Sequence, residues 1–185
     1  MSVRQANPKS WLIRSCLAAS LIAIAACGGL DSAPPVDNLA ANEIYELAER
    51  QLSDGQADDA AITFGEIERL YPYSALAERA LIMQAFAFHR DEDYPSSRAA
   101  AQRYLDFYPA EEDAPYAAYL VALSYYDQID EIGRDQGLTV QALRSLQRVI
   151  EVYPGSEYAS LSTQKFDLAF DHLAAKEMEV GRFYL

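Results

Sequence analysis

Three of this chain's four Tyr-Pro dipeptides, Tyr71-Pro72, Tyr108-Pro109 and Tyr153-Pro154, punctuate it at intervals of 37 and 45 residues. The residues before each copy repeat as well. Twelve positions before the prolines stand Ala60, Ser97 and Ala142, and eight before stand Phe64, Ala101 and Leu146. Five before stand Ile67, Tyr104 and Val149, and two before stand Leu70, Phe107 and Val152. A small residue followed by apolar positions at +4, +7 and +10 describes one face of an α-helix. The spacing predicts three helices, each packed along that stripe. Each ends at its Tyr-Pro pair, because proline disfavours helical geometry in the residue before it.

The segments after the prolines also correspond. Pro72-Tyr73-Ser74-Ala75-Leu76-Ala77 parallels Pro154-Gly155-Ser156-Glu157-Tyr158-Ala159, with Ser74 and Ser156 placed to cap the next helix. After Pro109, Asp113 and Pro115 are placed to start one. Gly55 separates two helical patterns in the first unit, and the extra residues of the third unit fall around 130–138. No convincing strand alternation appears beyond Asn42. A small residue, aromatics and a terminal proline in each helix pair form the pattern of the tetratricopeptide repeat, with a usual period of about 34 residues. The expectation is all-α: a superhelical solenoid of antiparallel helix pairs over 42–185, about three repeats and the start of a further one. The repeats lie near 42–72, 73–109 and 110–154, followed by a helical stretch, 156–185, without a closing Tyr-Pro. Solenoids normally end in a polar capping element, so the chain reads as C-terminally truncated.

The N-terminal 26 residues have a different character. Arg4, Lys9 and Arg14 precede an apolar run from Leu17 to Ala26, as in a secretory signal peptide. The run is about half the ~20 residues that span a bilayer. Ile24-Ala25-Ala26-Cys27 resembles the lipobox of bacterial lipoproteins, although leucine is usual where Ile24 stands. That resemblance implies cleavage before Cys27 and a covalent lipid, palmitate included, on its new N-terminus. Ordinary cleavage near Ala26 is the alternative. Cys16, the other cysteine, lies in the excised segment, so the mature chain forms no internal disulfide. Gly28 in place of aspartate fits outer-membrane sorting. Residues 27–41, with Pro34-Pro35, read as the lipidated N-terminus and a flexible tether reaching at most about 50 Å.

The formal charge is −13, and loss of three basic and no acidic residues leaves the mature chain near −16. Such a balance argues against nucleic acid, which is bound through Lys and Arg contacts to phosphate. It also argues against electrostatic adhesion to an anionic bilayer, leaving anchorage to the lipid. The acidic surface is either a solvated exterior or a patch for a basic partner.

Several stretches carry a family resemblance. They include Glu66-Ile67-Glu68-Arg69-Leu70-Tyr71-Pro72-Tyr73-Ser74 and Arg103-Tyr104-Leu105-Asp106-Phe107-Tyr108-Pro109. Tyr116-Ala117-Ala118-Tyr119-Leu120 precedes Tyr125-Tyr126, and Gly133-Arg134-Asp135-Gln136 leads to the third Tyr-Pro unit. Leu173-Ala174-Ala175-Lys176-Glu177-Met178-Glu179-Val180 closes the set. With the lipobox, they make the chain resemble the BamD family, lipoproteins of the β-barrel assembly machinery of Gram-negative bacteria. Members of that family look longer, with about five repeats, and their C-terminal repeats are implicated in contacting BamA. The resemblance implies a scaffold on the periplasmic face of the outer membrane. Its partners would be a BamA-like barrel protein, other assembly-complex lipoproteins and unfolded outer-membrane protein precursors.

Residues suited to catalysis are sparse. The histidines are His89 and His172, and no glycine-rich phosphate loop occurs. His89 with Asp91 and Asp93 reads as a solvated helix end rather than a metal site. No enzyme activity, metal or cofactor beyond the lipid on Cys27 is expected. Binding is better served. Tyr116, Tyr119 and Tyr126 fall on one helix face, as either a partner-binding surface or inter-repeat core. Tyr45 and Tyr73 carry the same ambiguity. Arg134, Asp135 and Gln136 form either a docking loop or a turn fastened to a neighbouring repeat. Two other functional readings stand beside the scaffold: an adaptor for peptidoglycan or cell-division machinery, and an enzyme whose catalytic domain lies beyond Leu185.

Overall fold

The computed structural model describes residues 36–129 and 136–184, and among them it is helical throughout. In chain order the helices are α1 (Ala41–Ser53), α2 (Ala57–Leu70), α3 (Ala75–Arg90), α4 (Tyr94–Phe107), α5 (Ala114–Tyr126), α6 (Gly137–Val152) and α7 (Glu157–Phe183). Each packs on its successor, and each odd helix also meets the next odd one: α1 with α3, α3 with α5, α5 with α7. Helices α2, α4 and α6 do not adjoin one another. Two layers result, odd helices in one and even helices in the other, as a stack of antiparallel pairs requires.

The repeated stripe explains the stacking. Ala60, Ser97 and Ala142 are fully buried, and so are Phe64, Ala101 and Leu146 at +4 and Ile67, Tyr104 and Val149 at +7. Small residues at the first position let neighbouring helices approach, and the larger ones behind fill the space between pairs. The +10 position departs from the expected stripe. Leu70 is half-buried, but Phe107 and Val152 are 64% and 54% exposed. Ten residues rotate a helix to the edge of the face defined by its first residue, and this position lies in the last turn.

The turns follow their chemistry. The Ser74 hydroxyl accepts from the Leu76 amide at 3.2 Å, and that of Ser156 from the Ala159 amide at 3.1 Å. Asp113 precedes α5 without a side-chain cap, so Pro115 in the first turn marks that start. Gly55 and Gly155 have φ of +83° and +91°, left-handed values that glycine adopts without strain.

The tether expected through Ala41 gives way at Val36. Val36 is buried against the first repeat and Leu39 packs beside it. The Tyr71 hydroxyl donates to the Leu39 carbonyl at 2.6 Å, and Arg69 pairs with Asp37 at 2.8 Å. Two apolar residues and two polar anchors thus fasten 36–40 to α2 and its Tyr-Pro turn. At the other end, α7 runs for 27 residues. Its later part exposes Leu168, Phe170, Met178 and Phe183. Among the described residues no helix is long and apolar enough to cross a membrane.

Candidate protein-binding surface

The layer of odd helices gathers the tyrosines singled out by sequence. Tyr116 and Tyr119 are one turn apart on α5, and both rings meet Tyr158 of α7, with centroids 5.2 and 5.5 Å apart. Tyr126, two turns further on, lies under the Lys165 ammonium of α7, 4.2 Å from its ring centroid. That distance is within cation–π range. The three tyrosines therefore share the α5 face that α7 covers. Tyr119 is buried, while Tyr116 and Tyr126 keep part of their surface in solvent. Tyr158 and Lys165, seven residues apart on one face of α7, complete the cluster. Sequence reasoning treated Tyr158 only as a repeat position.

The cluster holds protonated phenols. Burial, then the neighbouring Tyr158, Asp113 and Tyr119, push the Tyr116 hydroxyl up to about 12. Burial, with Asp127 and Tyr126, raises Tyr119. Burial, the Glu157 carboxylate and Asp113 raise Tyr158. At neutral pH these groups offer aromatic faces and hydroxyl donors, chemistry suited to recognising polypeptide.

Elsewhere in the odd layer, Tyr45 of α1 is core, packed edge-on against Phe64 at 5.2 Å. The Arg79 guanidinium of α3 lies over its ring, 5.6 Å from the centroid. Tyr73 is the opposite case, fully exposed at the first Tyr-Pro turn. His89 turns toward the next odd helix rather than toward Asp91 and Asp93. Its Nε2 lies 3.2 Å from Asp127 Oδ2, and its ring meets Tyr94 edge-on. Among the described residues no group of three or more His, Cys, Asp or Glu side chains is arranged to hold a metal.

Gln136 immediately precedes α6, half-buried, and its Oε1 makes no hydrogen bond among the described residues. Arg134 and Asp135 lie outside the described residues, as does Cys27. The structure therefore joins Tyr116, Tyr119 and Tyr126 in one cluster.

The family model described as "YfiO: Outer membrane lipoprotein" matches residues 37–185, the whole repeat region. The chain belongs to this family. Two relatives, each named "Outer membrane protein assembly factor BamD", are clearly similar. That of Caulobacter vibrioides is 36% identical over 173 residues, covering 91% of this chain and 57% of the relative. That of Rickettsia prowazekii is 39% identical over 126 residues, covering 68% and 50%. The chain thus spans about half the length of these relatives. Among solved structures, the first TPR domain of the human RPAP3 protein superposes with a TM-score of 0.54 at 15% identity. The match covers 74% of this chain and 94% of that domain. At that identity it shows the fold alone, and the fold is the tetratricopeptide-repeat stack.

Proposed function

We propose that this chain is a non-enzymatic scaffold of outer-membrane protein assembly, held at the periplasmic face of the outer membrane by a lipid on Cys27. The observation that carries the reading is the family match across 37–185. It coincides with the stacked repeats that present an extended surface. In this reading the scaffold binds a BamA-like barrel protein and companion lipoproteins of the assembly complex, and it receives unfolded barrel precursors. The α5–α7 tyrosine cluster supplies protonated hydroxyls and aromatic faces for such contacts. The Arg134-Asp135-Gln136 loop is a second docking point. The strongly acidic chain is repelled by anionic headgroups, which leaves membrane attachment to the acyl chains.

Affinity capture of the full chain from detergent-solubilised membranes tests the reading. Recovery of a BamA-like barrel protein is expected. Recovery of peptidoglycan or division proteins instead, with porin levels unchanged on depletion, points to the adaptor role and rejects assembly. Intact mass of the membrane-extracted protein tests the anchor separately: acylation at Cys27 is expected, and an unmodified N-terminus rejects it.

A further inference from the structure

The arginines of the repeats divide into two groups. From α1 to α4 each one is engaged. Arg50, Arg69 and Arg103 meet carboxylates, and Arg79, Arg90 and Arg98 lie over aromatic rings. On α6, Arg144 and Arg148 are exposed and make no ion pair or cation–π contact among the described residues. The chain holds 28 acidic and 15 basic residues. With carboxylates in such surplus, two arginines one turn apart and both unpaired are the exception.

The repeat explains why Arg148 is free. Arg103 and Arg148 each stand six residues before a repeat proline. Arg103 reaches back to Glu68 of the preceding even helix at 3.1 Å, and donates to Gln84 Oε1 at 2.9 Å. The position equivalent to Glu68 in the next repeat is Leu105, half-buried and unable to accept. Arg148 therefore lacks the acceptor that its counterpart uses. Glu151, three residues on, accepts from Gln147 at 2.7 Å instead. Val152, one turn beyond Arg148, is among the exposed large apolar residues.

Arg144, Arg148 and Val152 thus follow one another in four-residue steps, about 6 Å apart along the axis of α6. A guanidinium takes a carboxylate through two parallel hydrogen bonds. A helix with carboxylates four residues apart presents them at the same interval. The carboxylate surplus elsewhere repels an acidic partner, so this edge fixes where one can sit.

We infer that the Arg144–Arg148–Val152 edge of α6 is a docking site for an acidic amphipathic helix of another protein, with two carboxylates one turn apart and an apolar side chain one turn further on. The carboxylates take the two guanidiniums, and the apolar side chain covers Val152. Helix α6 belongs to the even layer, whereas the tyrosine cluster belongs to the odd one. The site does not depend on the assembly role.

The test uses the full chain in detergent and a fluorescein-labelled, alanine-rich helical peptide, followed by fluorescence anisotropy. The peptide carries two glutamates four residues apart and a leucine four residues further on. Saturable binding is expected. The double variant Arg144→Gln with Arg148→Gln should keep the helical circular dichroism, because both side chains are exposed, and weaken binding at least about tenfold. Arg182→Gln, which removes an exposed charge from α7, should bind as the parent does. A peptide with glutamines in place of the glutamates should not bind. Parent affinity in the double variant, a like loss in Arg182→Gln, equal binding of the glutamine peptide, or no saturable binding overturns the inference. Displacement of the peptide by millimolar inorganic phosphate at constant ionic strength also overturns it, since the edge would then be a site for simple anions.

Discussion

The hydroxyl of Ser124 on α5 donates to that of Ser97 on α4 at 3.2 Å, and Ser97 donates in turn to the Ala85 carbonyl of α3 at 2.9 Å. Both serines are fully buried, and Ser97 occupies the position held by alanine at 60 and 142. The second repeat therefore joins three helices by a polar thread where its neighbours use close packing alone. Ser97→Ala should cost about 1–3 kcal/mol, because it strands the buried Ser124 hydroxyl. Ser124→Ala should cost about 0.5–1.5 kcal/mol, because Ser97 keeps its carbonyl partner. The double variant should lose less than the sum, since no hydroxyl is then left unpaired. Urea midpoints with an unchanged slope measure this, and strict additivity would contradict the coupling.

Phe64 and Phe107 carry the same side chain at +4 and +10 of equivalent helices, with opposite burial. Phe64 is fully buried and Phe107 faces solvent. Phe64→Ala should destabilise by about 3–5 kcal/mol through the cavity it opens. Phe107→Ala should stay within about 0.5 kcal/mol of the parent. Thermal melts of the two variants side by side check the register of the repeat, and similar losses would show that it is misplaced.

That contrast shows how far the fold was legible. Ala60, Ser97, Ala142 and the residues at +4 and +7 declared their burial because they lie near the centre of a helical face. The +10 residues lie at its margin, where burial depends on how closely the next helix follows, a tertiary quantity with no local sign. Tyr45 and Tyr73 make the same point. Each is a tyrosine in a helical repeat, yet one is core beside Phe64 and the other stands free at a turn. Tyr116, Tyr119 and Tyr126 were legible as one face. Their partners Tyr158 and Lys165 were not, because pairing across α5 and α7 is set by the stacking of whole repeats.

Two polar contacts, Tyr71 to Leu39 and Arg69 to Asp37, join the packing of Val36 and Leu39 in holding residues 36–40. Tyr71→Phe keeps the ring and removes the hydrogen bond. Combined with Arg69→Ala, it should release this stretch from the first repeat. Amide exchange at Leu39 and Ala40 should rise by an order of magnitude or more while α4 and α5 stay protected, since opening of a terminal segment is local. Hydrogen-exchange mass spectrometry reads the difference. Unchanged protection at Leu39 would mean that Val36 and its apolar neighbours alone hold the segment.

The phenols of the α5–α7 cluster predict where alkali attacks the stack. Tyr116 titrates ordinarily near 10.0 and is pushed up to about 12 in the fold, first by burial and then by Tyr158, Asp113 and Tyr119. A raised folded value means that the native state holds the proton more tightly than the unfolded chain does. The associated stability is complete below about pH 10 and is lost as pH climbs toward about 12. Tyr119 and Tyr158 shift in the same direction, so they add to the same alkaline loss. Tyr116→Phe keeps the ring against Tyr158 and removes one ionisable group. Its melting temperature should therefore fall less steeply across that window than the parent's. Phenolate absorbance should also appear at higher pH in the folded parent than in the urea-unfolded chain. A Tyr116→Phe variant with the parent's slope would show that this hydroxyl is solvated in the fold, and that α7 does not cover the α5 face where Tyr116 sits.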